Sequence, residues 1–336
     1  MSDVQVLPSA IRWSVAIAAR PAAPPVIDGD RILVVLQSGV VSSHGVSDGA
    51  EAWHVELRAD QPVAVDGPRV FIAAGDMIHA LDAASGSVVW RTPSGKVTAP
   101  MIAQDGWLVA ATAGGLAAFR NADGSKVWSR DIGAQHLRAT IEGDNLYVPL
   151  TDGHLAALDL QTGTERWVRH LAGDVSEVLA FPDRVYVGSA DKFFYCLDAD
   201  DGETAWRWRI GAVLRGRPAA EGVRVFVTAV DNVTRAFDRL SGALRWHASV
   251  PFRPSAPGVV GSMVVVPGNG GEVRAFEAAT GRPAGQIKFD EALVTPPAFG
   301  SVGGGVVMAA FTGSLNNQWK LVLSGPPAVP PQDPHE

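Results

Sequence analysis

Eight histidines, one cysteine and a set of recurring aspartates are the side chains with which this chain could do chemistry, and their spacing decides whether it does. The histidines are His44, His54, His79, His136, His154, His170, His247 and His335. None falls in an H-x-x-x-H or H-E-x-x-H pattern, so no pair sits one helical turn apart to hold a catalytic zinc ion. The lone cysteine, Cys196, excludes an intrachain disulfide framework and a Cys-rich metal site. Its context, Cys196-Leu197-Asp198, aligns with Ala80-Leu81-Asp82 and Ala157-Leu158-Asp159, which assigns it to a small-residue packing slot. Ser-Gly pairs such as Ser85-Gly86 lack a Gly-x-Ser-x-Gly setting, and neither Gly270-Gly271 nor Gly303-Gly304-Gly305 opens a helix as a phosphate loop must. Asp82, Asp159, Asp198 and Asp238 recur in matching turn positions, so they read as turn formers and not as a convergent acid site. The residues therefore predict no catalytic site, no metal site and no cofactor.

What must be positioned instead is a repeat. The stretch Ala157-Leu-Asp-Leu-Gln-Thr-Gly-Thr-Glu-Arg-Trp167 reads as strand, tight turn, strand. Its glycine-to-tryptophan step returns as Gly49/Trp53, Gly86/Trp90, Gly124/Trp128, Gly163/Trp167, Gly202/Trp206 and Gly242/Trp246, with Gly281 a seventh anchor whose tryptophan is replaced by Gly285. Successive glycines lie 37, 38, 39, 39, 40 and 39 residues apart, and a fixed period in this range marks a repeat architecture. Each repeat holds four short apolar segments. In the fourth they are Ala139 to Ile141, Leu146 to Leu150, His154 to Leu160 and Thr164 to His170. The second segments, such as Val70 to Ala73 and Met263 to Val266, lack polar alternation, which predicts strands buried on both faces.

Four strands every 40 residues or so describe the blade of a β-propeller, whose radial closure removes open sheet edges. An eighth blade starts with Pro296 to Gly300 and Val306 to Phe311, and a third strand is expected over Leu315 to Leu323, after which no fourth follows. At the other end Ala10 to Val15 matches a last strand, with Trp13 in register 40 residues before Trp53. Residues 10–16 are therefore expected to pair with the strand near 315–323 and close the ring. The fold class is all-β, an eight-bladed propeller of four-stranded antiparallel blades forming one domain over residues 1–325, with a Pro-rich disordered tail at 326–336. Trp13, Trp53, Trp90, Trp128, Trp167, Trp206 and Trp246 are expected to be packing devices, each burying roughly 150–250 Å². Trp107 reads as core and Trp208 as outward-facing.

The 336 residues carry a net charge of −7, with 19% charged and 47% hydrophobic side chains. That balance allows a large core and excludes the strongly basic footprint of a nucleic-acid binder. No window reaches the roughly 18 apolar residues of a transmembrane helix. Met1 to Leu7 shows no basic region leading into an apolar one, so two compartments stay open: the cytoplasm, or an export destination if a leader is missing from this chain.

The pattern Ala-Leu-Asp-x-x-Thr-Gly-x-x-x-Trp, whole at 157–167 and nearly whole at 80–90 and 196–206, resembles the tryptophan-docking repeat of the PQQ-type eight-bladed propellers. The resemblance covers about 315 residues, and the chain departs from it at Gly45 and Arg120, which replace the turn aspartate, and at Gly285. The superfamily includes quinoprotein dehydrogenases, sensor domains and the BamB group of outer-membrane β-barrel assembly proteins. A quinoprotein would need an adjacent Cys-Cys disulfide, a Ca²⁺ held by hard oxygen ligands and a carboxylate base, and a single cysteine cannot supply the first. In length, compact loops and N-terminal closing strand, the chain looks most like the BamB group. That resemblance implies a non-catalytic scaffold docking a protein, the periplasmic repeats of a β-barrel insertion protein, at the periplasmic face of the outer membrane. The alternative is a propeller that senses or binds a small ligand in its funnel. Loops entering the first strands carry His136 and Arg138 before blade 4, Leu214, Arg215 and Arg217 before blade 6, and Arg253 before blade 7, with Glu177 before blade 5. Equivalent loops share a face, so these residues predict a basic arc for a partner. Leu214 and Arg215 loosely resemble the BamB docking loop.

Overall fold

Asp159 shows how a blade turns on itself. Its Oδ1 accepts hydrogen bonds from the backbone N–H groups of Gln161 (3.1 Å) and Thr162 (2.9 Å), and the Gly163 N–H donates to the Asp159 carbonyl at 2.8 Å. Gly163 takes φ +68° to complete the turn, a conformation that costs a side-chain-bearing residue about 1–2 kcal/mol. The turn joins strands His154–Asp159 and Glu165–His170, and with Thr140–Glu142 and Asn145–Pro149 they form one antiparallel sheet in chain order. The second strand of this sheet is buried along Leu146 to Pro149, as continuous apolarity predicts. Where the turn aspartate is missing, a carboxylate three residues on takes its place. Asp48 accepts from the Ala50 N–H and Asp123 from the Ser125 N–H, each at 2.9 Å, which excuses Gly45 and Arg120.

The structure, a computed structural model, describes residues 10–325 apart from 60, 134, 136, 251–252, 303–304 and 314–317. The expected tail at 326–336 lies outside the described residues. Among the described residues are seven four-stranded sheets and one five-stranded sheet, whose first strands gather around a common axis. This is the expected eight-bladed propeller. Blade 8 is built from Ala298–Val302, Gly305–Gly313 and Trp319–Gly325, and its outermost strand is Ala10–Ile17 from the other end of the chain. Ala10 lies opposite Gly325 and Ile17 opposite Trp319, so the closure is as expected; the expected start of the third strand at Leu315 lies outside the described residues. A short strand at Ala292–Leu293 adds a fifth strand that the repeat does not foreshadow.

The seven in-register tryptophans do more than fill space. Each indole Nε1 donates to a backbone carbonyl in the following blade: Trp13 to Val46, Trp53 to Ala83, Trp90 to Asn121, Trp128 to Leu160, Trp167 to Ala199, Trp206 to Arg239 and Trp246 to Ala278, at 2.8–3.2 Å. The ring then lies on the turn glycine of that blade. A Cβ added at Gly49, Gly86, Gly124, Gly163, Gly202, Gly242 or Gly281 would come within 2.5–2.7 Å of the preceding blade's indole. One glycine thus closes its own hairpin and receives its neighbour's tryptophan. Of the off-register rings, Trp107 is buried under the Arg120 guanidinium at 3.8 Å, and Trp208 is 38% exposed.

Candidate functional site

In a four-stranded antiparallel blade, the loop entering the first strand and the loop joining the second to the third lie on one face. Here the two are stitched together. Leu214 bridges Ala229, Val175 bridges Ser189 and Pro254 bridges Gly268, each pairing an entry loop with the end of its own blade's second strand. Such pairing imposes strand alternation on the loop. Val213 is accordingly exposed, Leu214 only 8% exposed, and Arg215 exposed again.

This corrects one expectation. Leu214 is no surface anchor: its side chain packs over Gly188, where a Cβ would stand 2.5 Å from Leu214 Cδ1, and it belongs to the core between blades 5 and 6. The Arg215 N–H is meanwhile tied to the Thr228 carbonyl at 2.8 Å, which holds its side chain toward the face. His136 lies outside the described residues.

The remaining arginines sort into two depths. Arg215 and Arg253 line a cavity of about 840 Å³ across the entries to blades 5–8, together with Pro254, Pro257, Pro296, Pro297 and Phe299. Arg253 takes φ +51°, left-handed for a residue with a side chain, and its N–H donates to Asn232 Oδ1 at 3.2 Å. Arg138 and Arg217 line a smaller recess of about 130 Å³ together with Gln104 and Thr140. Glu177 borders both cavities, so the recess opens from the same funnel. Arg217 reaches across blade 5: its Nε donates to the Val178 carbonyl at 2.9 Å, and Thr140 Oγ1 donates to the same oxygen at 2.8 Å.

Arg138 and Arg217 are both water-accessible and closely walled by protein atoms, as side chains inside a concavity are. Desolvation pulls both guanidinium groups below the usual arginine range, and for Arg217 the nearby charge of Arg138 adds to it while Glu177 and Glu142 oppose it. Arginine stays charged regardless. The consequence is a pair of cations lining one recess, an arrangement that favours an arriving anion. The guanidinium groups of Arg138 and Arg215 make no hydrogen bond or ion pair with the described residues. Sequence spacing pointed to the arginines but missed the proline and phenylalanine wall, whose signal was the prolines just before the first strands of blades 7 and 8.

The calcium of a quinoprotein does not fit these residues: Glu177 is the carboxylate that lines the two cavities, and among the described residues no three His, Cys, Asp or Glu side chains gather as a metal site. Cys196 is free and buried, its thiol pushed up to about 12 by burial.

A family profile described as outer membrane protein assembly factor BamB matches residues 37–178 and 171–309. The outer membrane protein assembly factor BamB of Moranella endobia (strain PCIT) is 26% identical over 145 residues, a match spanning 37% of this chain and 37% of that relative. The crystal structure of BamB from Moraxella catarrhalis superposes with a TM-score of 0.74 at 18% identity, over 94% of this chain and 97% of that one. Quinohemoprotein alcohol dehydrogenase from Comamonas testosteroni gives a TM-score of 0.75 at 14% identity, over 94% of this chain and 76% of that one. At such identities the structural matches speak for the fold, which assembly factor and dehydrogenase share.

Proposed function

This chain belongs to the family of the outer membrane protein assembly factor BamB, and we propose that it is a non-catalytic propeller that docks a protein partner on its entry-loop face. The partner is the periplasmic repeats of a β-barrel insertion protein, and the role is in assembling outer-membrane β-barrels at the periplasmic face of that membrane. One observation carries the reading: arginines gather at the mouth of the funnel on a chain whose net charge is −7. Arginine is enriched at interface hot spots because its planar guanidinium pairs with carboxylates while its stem packs on apolar surface. Arg215 and Arg253 are the rim contacts, and the loop pairing at Leu214 and Pro254 orders their backbone before binding, which lowers the ordering cost to that of the side chains.

The test is binding of the purified periplasmic repeats of the barrel-insertion protein from the same source. Wild type should bind them, more weakly as salt rises, and Arg215→Glu with Arg253→Glu should cost at least about 2 kcal/mol of binding at an unchanged thermal midpoint. Undiminished binding by the folded double variant would remove the rim from the interface.

A further inference from the structure

The funnel behind the rim has a chemistry of its own. Its two cavities share Glu177 and together present Arg138, Arg215, Arg217 and Arg253, and the larger one is also lined by prolines and Phe299. We infer that the funnel holds an extended acidic peptide segment, one of whose carboxylates lies between Arg138 and Arg217 while its apolar side chains rest on Pro254, Pro257, Pro296, Pro297 and Phe299. The inference rests on the docking reading only in that the segment belongs to the docked protein.

Three features select this occupant. The first is charge: four arginines line the two cavities against Glu177, with Glu142 the further carboxylate acting on Arg217, so on a chain of net charge −7 the funnel is locally of opposite sign to the molecule. Low-dielectric walls concentrate such a field on an entering anion. The second is an unused donor set. Arg217 spends its Nε on the Val178 carbonyl, which leaves its terminal nitrogens directed elsewhere, and Arg138 has no hydrogen-bond partner among the described residues. Each guanidinium presents a planar fork of N–H donors of the kind that carboxylates accept. The third is the apolar wall and the size. A cavity of about 840 Å³ is within the range that encloses sizeable ligands and far exceeds a single inorganic anion. Proline rings and the Phe299 face offer apolar surface that such an anion would leave in water, whereas an extended peptide alternating acidic and apolar side chains covers both walls. Glu177 between the two cavities repels a carboxylate placed against it, which sets where along the funnel the acidic residues can sit.

The experiment is fluorescence anisotropy with the full chain and a short fluorescein-labelled peptide alternating glutamate and phenylalanine. A second peptide carries lysine in place of glutamate, and citrate serves as competitor. Wild type should bind the glutamate peptide and not the lysine one. Arg138→Gln, whose side chain touches no described partner, should weaken binding about tenfold or more, the scale of a lost hot-spot arginine. Arg138→Gln with Arg217→Gln should weaken it further, with the thermal midpoint read alongside because Arg217 also joins blades 5 and 6. Equal binding of the two peptides, or an Arg138→Gln variant that binds like wild type, would overturn the inference. Citrate displacing the peptide at matching affinity would also overturn it, in favour of a small-anion site. If the peptide fails to bind while the purified repeats still dock through Arg215 and Arg253, the funnel inference falls alone. If the repeats do not dock yet the peptide binds, the docking reading falls instead.

Discussion

Two joints in the ring differ in kind. Blades 4 and 5 meet through Trp167, whose Nε1 reaches the Ala199 carbonyl at 2.9 Å and whose ring lies on Gly202. Blades 7 and 8 meet without an indole at the equivalent slot, where Gly285 stands at φ +140°. What joins them is an apolar seam of Val265, Ile287 and Phe289 against Met308, Ala310 and Val322, the Phe299 ring over Gly258, and an ion pair from Lys320 to Glu291 at 3.3 Å. The difference teaches what a docking tryptophan needs. Its receiver is the glycine turn between the third and fourth strands of the next blade. In blade 8 those strands come from opposite ends of the chain, so no such turn joins them, and the tryptophan is dispensed with where its receiver cannot exist. Blade 8 keeps its own donor, since Trp13 on the N-terminal strand docks into blade 1.

The largest effect should come from opening the seamed blade itself. Deleting residues 1–18 removes the outermost strand of blade 8 and the Trp13 joint together, and should lower stability by more than the roughly 3–5 kcal/mol of a single large aromatic truncation. Deleting residues 327–336 should leave the thermal midpoint unchanged. Identical midpoints for the first deletion and the full chain would defeat the closure argument.

Next in size, Trp167→Ala should cost about 3–5 kcal/mol, because the ring is 7% exposed and its N–H is bonded. Trp208→Ala, at a 38% exposed ring, should cost about 1 kcal/mol. Chemical denaturation of both would show whether register or mere aromatic content matters, and a reversed order would count against the joint.

A smaller contrast isolates the receiver from the turn. Gly163→Ala forces a Cβ to within 2.7 Å of the Trp128 ring at φ +68°, whereas Gly143→Ala meets nothing within 4 Å at φ +56°. Both pay the left-handed backbone, so the extra loss at Gly163, about 1–3 kcal/mol of overpacking, measures the seat of the indole. Equal losses would mean that the glycines are turn formers and nothing more.

The smallest effect concerns acid. The Arg245 guanidinium and the Ser241 N–H and hydroxyl hold Asp238 well below the usual carboxylate range. A depressed folded value means that this stabilisation is fully present above the unfolded carboxylate pKa near about 4 and fades as pH falls through the folded value. Asp238→Asn should therefore lower stability slightly at neutral pH and flatten its decline in acid. Parallel pH profiles for variant and wild type would show that the turn carboxylate contributes nothing.

The sequence by itself determined the blades. A 40-residue period, turn glycines and doubly apolar second strands act within a hairpin, so local spacing was enough to place the four strands of the fourth blade to within a few residues. It also determined the closure, since Trp13 keeps the register of the other rings. What only the tertiary structure decided lies between blades. That a glycine in one repeat is the seat for the tryptophan of the preceding one cannot be read inside either repeat, because the contact joins residues more than 30 positions apart in sequence, such as Trp128 and Gly163. The site shows the same division. The arginines were legible from loop position, yet Leu214 faces inward because its loop pairs with Ala229, and Arg138 and Arg217 share a recess because two loops from blades on either side of blade 5 converge on the axis. Pairing partners and convergence are properties of the closed ring, and the chain acquires them only when its last blade is completed by its first strand.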